Sequence, residues 1–179
     1  MGDDITKNTV AQNLYIHPNG DAWFGNGEKG LLKYDFEKNE ISKLQDTQIG
    51  LTDNFISSLY SPDNRFLYIG NRNGVSVLDM ATNKTKHYPI LDEAIKQLNY
   101  LPIRSLYKDD QNRIWLGTEH GLLIINEKTG AFQSFTVDSN NPKSISDNTV
   151  NHIYEDSKGD IWLATFQGLD KVISVSTLL

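Results

Sequence analysis

Six side chains recur at one place in a repeated pattern and together could hold a small polar molecule: Glu28, Arg72, Glu119, His120, Phe166 and Gln167. They fall in short turns at 26–29, 71–73, 119–120 and 166–167, and a glycine follows each turn. Carboxylates and amides hydrogen-bond hydroxyls, an aromatic face stacks on a sugar ring, and an arginine pairs with a carboxylate. A sugar or a sugar acid is the ligand chemistry these types suit. Turns favour polar residues on any scaffold, so each of the six is equally an ordinary solvated turn residue until geometry decides.

Other chemistry finds less support. The chain has no cysteine, which removes a thiol nucleophile, a thiolate metal site and disulfides while leaving the compartment open. His17, His87, His120 and His152 belong to different elements of the repeat, so they do not converge into a metal site or an acid–base pair. Asp156 and Asp160 lack the alternating acid–glycine–glutamate order of a calcium loop and read as a hairpin turn. Arg104, Asn151 and His152 lie on inner strands, where packing or water contact is their expected role. No catalytic residue, metal or cofactor is expected.

The elements that position these turns come from an internal repeat. Ile103–Tyr107, then Arg113–Thr118, then Gly121-Leu122 return as Val150–Tyr154, Asp160–Thr165 and Gly168-Leu169, 47 residues later and without a gap. Earlier copies run Ile56–Tyr60, Leu67–Gly70, Gly74-Val75, and Leu14-Tyr15, Ala22–Gly25, Gly30-Leu31. The aromatic anchor therefore advances Trp23, Tyr68, Trp115, Trp162, at steps of 45, 47 and 47. Each unit predicts a short inner strand, a polar turn, a second strand, a tight turn and a third strand. Fourth strands are expected at 132–136 and 85–89. The stretch 91–98 is at most one or two helical turns inside a connection.

Ile114-Trp115-Leu116 is apolar on both faces, so both sides of its sheet must be covered. Four-stranded units of this size, buried on two faces, are what radially packed propeller blades require. The expected fold is all-β, a β-propeller of four blades of four-stranded antiparallel sheets at about 8–46, 54–90, 101–137 and 148–179, forming one segment over 1–179. Trp115 and Trp162 are expected in the blade cores. Only Asp3 to Asn8 precede the first inner strand, and no clear turn and fourth strand follow Lys171, which favours a part of a larger propeller. Uncovered faces and edges invite pairing, and a homodimer of two copies in an eight-bladed ring is one way to close them.

With 17 basic against 23 acidic residues, the net charge of −6 argues against nucleic acid as partner. Apolar runs such as Gly121–Ile125 fall far short of the ~20 residues of a membrane helix, so no membrane contact is expected in this segment. The acidic, polar start at Met1–Asp4 does not read as a signal peptide.

The stretch Ser139–Thr165 resembles the two-component regulator propeller repeat: an Asn-Pro-x-Ser-Ile-Ser-x-Asn-x-Val lead at 141–150, then Asp-x-x-Gly-x-Ile-Trp-Leu at 156–163. Units three and four carry the pattern best, with Ala164 for the preferred glycine and Tyr68 for tryptophan in unit two as departures. The resemblance implies a periplasmic sensor region of a hybrid two-component histidine kinase and response regulator, typical of gut Bacteroidetes and responsive to glycan breakdown products. On that reading this segment is a non-catalytic sensor fragment binding a glycan-derived ligand or a partner domain at the turns named above. Kinase chemistry would belong to other modules. The same blade grammar is similar to that of lyase and lactonase propellers, and Glu28 with Glu119 keeps a glycosidase pair open. Yet Glu119 and His120 are neighbours in one turn, where side chains point apart. A structural scaffold without a small ligand is the third reading.

Overall fold

The structure, a computed structural model, describes residues 11–26, 30–44, 50–51, 53–86, 89–98 and 102–172. Short runs rich in branched and aromatic residues, separated by Gly, Asn and Asp turns, produce antiparallel meanders in sequence order. The first sheet is β1 (Ala11–Ile16), β2 (Ala22–Asn26), β3 (Gly30–Asp35) and β4 (Glu40–Leu44). The second is β5 (Ile56–Tyr60), β6 (Phe66–Asn71), β7 (Gly74–Asp79) and β8 (Lys84–Lys86). The third is β9 (Ile103–Lys108), β10 (Arg113–Thr118), β11 (Leu122–Asn126) and β12 (Phe132–Phe135). The last comprises β13 (Val150–Glu155), β14 (Ile161–Thr165) and β15 (Leu169–Val172), a three-stranded sheet among the described residues. All four sheets have the expected blade order.

One helix stands between the second and third sheets. Helix α1 (Pro89–Leu98) has ten residues, about a turn more than the sequence pattern suggests. Leu91, Ala94 and Ile95 form its buried stripe, and three apolar positions are too short a run to display a helical period. Pro89 opens this helix instead of ending a fourth strand, which suits a residue with no N–H to satisfy in the first turn.

The chain divides into two compact units, residues 1–87 and 88–179, each holding two blades. In the first, β5 packs on β1 and β2, around a core of Trp23, Leu31, Leu51, Ile56, Leu67, Ile69 and Leu78. In the second, β13 packs on β9 and β10, and Ile103, Trp115, Leu116, Leu123 and Leu163 are fully buried. Burying one such side chain stabilises by roughly 1.5–3 kcal/mol.

The two blade pairs are joined from the same strand positions, through different partners. In the second unit the Ile153 N–H donates to Ser105 Oγ at 2.9 Å, and the Tyr107 hydroxyl donates to Glu155. In the first, Asn13, at the register position of Ser105, donates to the Ser57 carbonyl, and the Tyr15 hydroxyl donates to Asn64 at 2.7 Å. A glycine lets the backbones close: a Cβ on Gly117 would sit 2.7 Å from the Val150 carbonyl oxygen and 2.9 Å from its Cγ1, and one on Gly25 would sit 2.5 Å from Ile56 Cγ2.

Trp115 is core, as expected, but Trp162 is only half-buried. The face of the fourth blade that carries Trp162 has no sheet on it among the described residues. All four inner strands also share a bulge, between Ala11/Asn13, Ile56/Ser58, Ile103/Ser105 and Val150/His152. The bulged positions are Gln12, Ser57, Arg104 and Asn151. A bulge re-aims one side chain at a strand end.

Candidate functional site

The second unit's candidate residues are held by a repeated turn. Thr118 Oγ1 donates to the Gly121 carbonyl at 2.9 Å and accepts the His120 N–H at 3.0 Å. Thr165 Oγ1 makes the same bond to the Gly168 carbonyl at 3.1 Å. Gly121 has φ +126°, and a Cβ there would lie 2.3 Å from the Phe135 carbonyl oxygen, so only glycine closes the turn. With backbone donors and acceptors consumed inside the turn, Glu119, His120, Phe166 and Gln167 all project to solvent.

The connection before the fourth blade shares this rim. Val137 N–H donates to Asn148 Oδ1 at 2.8 Å, Asp138 N–H to Ser144 Oγ at 3.1 Å, and Ser146 N–H to Asp170 Oδ2 at 2.8 Å. The Asn-Pro-x-Ser-x-Ser-x-Asn lead is thus a set of side chains that satisfy a long loop's own backbone and tie it to β15.

Arg104 joins the blades at this rim. From the bulge of β9, its Nη2 donates to Glu119 Oε1 at 2.6 Å and its Nη1 to Asn151 Oδ1 at 3.2 Å. Its guanidinium carbon lies 5.9 Å from the Phe166 ring centre. Two expected residues, Glu119 and Phe166, are therefore brought together through one that packing or water contact was expected to explain. The bulge in all four inner strands was the missing signal, because register, not residue type, turns Arg104 and Asn151 to the rim. An ion pair this exposed contributes about 0.2–1 kcal/mol, so stability alone is a weak reason for the arrangement.

The other expectations divide. Arg72 is exposed in the first unit, with its guanidinium 3.9 Å from the Phe55 ring centre. Glu28 and His87 lie outside the described residues, so the Glu28–Glu119 pair does too. His17 binds within the first unit, with Nε2 2.9 Å from the Asn64 carbonyl oxygen. Asp156 is a hairpin residue: Oδ1 accepts the N–H groups of Lys158 and Asp160, and Oδ2 accepts Trp162 Nε1–H at 2.9 Å. The Trp162 N–H, followed by these backbone donors, lowers its pKa. Among the described residues no three His, Asp or Glu side chains gather as metal ligands, and no helix is long and apolar enough to cross a membrane.

Four-sheet order, paired blades and rim turns define a β-propeller, and comparison with known proteins agrees. No curated protein matches the chain. Over 94% of its length it superposes on the extracellular domain of the putative hybrid two component system BT4673 from B. thetaiotaomicron, at 20% identity and TM-score 0.62, covering 27% of that chain. PorZ, a surface component of the type-IX secretion system of Porphyromonas gingivalis, aligns with 90% of this chain and 25% of its own, at 15% identity and TM-score 0.63. Virginiamycin B lyase from Staphylococcus aureus aligns with 97% of this chain and 58% of its own, at 11% identity and TM-score 0.62. The chain spans about a quarter of the first two. Identities this low establish the fold alone. The family model described as two component regulator propeller matches residues 97–120 and 144–167, which fall at the third and fourth blades.

Proposed function

We propose that the chain is a sensor segment of an extracytoplasmic two-component signalling protein, and that it performs no catalysis. Its ligand is derived from a glycan and binds at the rim of the third and fourth blades. The repeat family supports the sensor role, and the extracellular two-component neighbours are consistent with its compartment. One observation carries the ligand reading: Arg104, Glu119 and Asn151 form a hydrogen-bonded group beside the exposed Phe166 ring.

That group offers donors and acceptors side by side, which suits adjacent sugar hydroxyls, while the ring covers the C–H face of the sugar. A neutral sugar fits better than a sugar acid. Glu119 already neutralises Arg104, so a ligand carboxylate would have to displace it, and the chain's net charge of −6 disfavours an anion at long range. His120 and Gln167 flank the group as further hydroxyl partners. Calorimetric titration of neutral oligosaccharides into the wild type, Arg104→Ala and Phe166→Ala tests this. Binding by the wild type with at least tenfold loss in each variant is expected. Unchanged affinity in both variants would remove this rim as the site.

A further inference from the structure

A second surface, separate from the ligand rim, lies on the uncovered face of the fourth blade. His152, Tyr154, Trp162, Ala164 and Leu169 line an apolar groove there. Each stands 47 residues after Ser105, Tyr107, Trp115, Gly117 and Leu122, and of these Ser105, Tyr107 and Gly117 meet the fourth blade directly. Leu122 is 2% exposed, whereas its counterpart Leu169 is 64% exposed. By continuity with that interface, the groove fits the inner strand of another blade.

The first blade carries the complementary surface. Leu14 is 59% exposed, while its counterparts Leu106 and Ile153 are 5% and 4% exposed, and Ile16 beside it is 63% exposed. Residue types also match. The interfaces seen pair a glycine with a branched residue: Gly25 with Ile56, and Gly117 with Val150. The fourth blade has Ala164 in place of the glycine, whose Cβ would collide with Ile or Val. The first inner strand has Ala11 at the register position of Ile56, Ile103 and Val150. Alanine against alanine removes the side-chain part of that collision; the 2.7 Å approach to the backbone carbonyl oxygen remains, so the two strands must sit further apart than at Gly117 and Val150.

We propose that the groove on the fourth blade receives strand β1 of a second copy of this chain, head to tail, with position 11 opposite Ala164. Such a heterologous contact closes into a ring if the rotation permits and otherwise extends.

The chain's lack of cysteine makes the test direct. Val150 Cβ lies 3.2 Å from where a Cβ on Gly117 would be, and disulfides need a Cβ–Cβ separation of about 3.5–4.5 Å. In Ala11→Cys/Ala164→Cys, mild oxidation should yield disulfide-linked dimers or larger species on a non-reducing gel, with neither single variant giving them. Independently, light scattering of the wild type should give at least twice 20.2 kDa, falling to one chain in Leu169→Glu, whose site is at the surface. A monomeric wild type with free thiols in the double variant would overturn the proposal and leave the groove to a further repeat. An intrachain disulfide would overturn it in favour of the chain closing on itself.

Discussion

Gly117→Ala is the sharpest probe of how the blades are held. The added methyl would sit 2.7 Å from the Val150 carbonyl oxygen, 2.9 Å from Cγ1 and 3.2 Å from Cβ, all inside ordinary contact distance. Neither β10 nor β13 can yield freely, since Leu116, Trp115 and Val150 are fully buried on either side. Overpacking of this kind costs about 1–3 kcal/mol. Removing a glycine also narrows the unfolded ensemble, which returns roughly 0.4–1 kcal/mol. The net expectation is a loss of about 1–2 kcal/mol. Urea unfolding followed by tryptophan fluorescence reads the second unit through Trp115 and Trp162. Val150→Ala should reveal the cause in a double-mutant cycle: with Cγ1 gone, the methyl should cost less than in the wild type. A Gly117→Ala variant as stable as the wild type, or a cycle with no coupling, would refute the close-packing argument and with it the pairing of Ala11 with Ala164.

Three further outcomes follow from the same geometry. Arg104→Ala should change urea stability by less than about 1 kcal/mol, because its ion pair with Glu119 is exposed, so lost ligand binding in that variant cannot be blamed on unfolding. Gly121→Ala should destabilise by at least about 1 kcal/mol in the same assay, since a φ of +126° strains any L side chain and the Phe135 carbonyl blocks the methyl. Asp21 should contribute to acid stability: the Lys33 side chain, then the Phe36 N–H, hold its carboxyl at about 2. With the folded value below the ordinary 3.8, this contribution is present above pH ~4 and is lost as pH falls toward 2. The stability gap between wild type and Asp21→Asn, measured by urea unfolding across that range, should therefore shrink on acidification; a constant gap would contradict the assignment.

The blades were legible because a 47-residue repeat multiplies weak strand signals. Trp115 and Trp162 mark the same strand twice, and the turn at Asp156–Asp160 recurs in each unit with different residues. The helix at Pro89–Leu98 was harder to read, because only Leu91, Ala94 and Ile95 define its buried stripe. The rim was half legible. Glu119 and Phe166 stand out as variable residues in equivalent turns, whereas Arg104 reaches them only because a bulge shifts the register of β9. Trp162 shows the converse limit: its strand reads as core, yet burial also depends on a neighbouring sheet that strand composition does not reveal.

On the proposed reading, the Arg104–Glu119–Phe166 rim holds a sugar through hydroxyls and stacking. Titrating a neutral oligosaccharide and its uronic acid counterpart into the wild type and Phe166→Ala by calorimetry addresses it in one measurement. The neutral sugar should bind the wild type more tightly than the acid does, and lose at least tenfold in the variant. Binding of the acid alone, or equal affinities for wild type and variant, would contradict it.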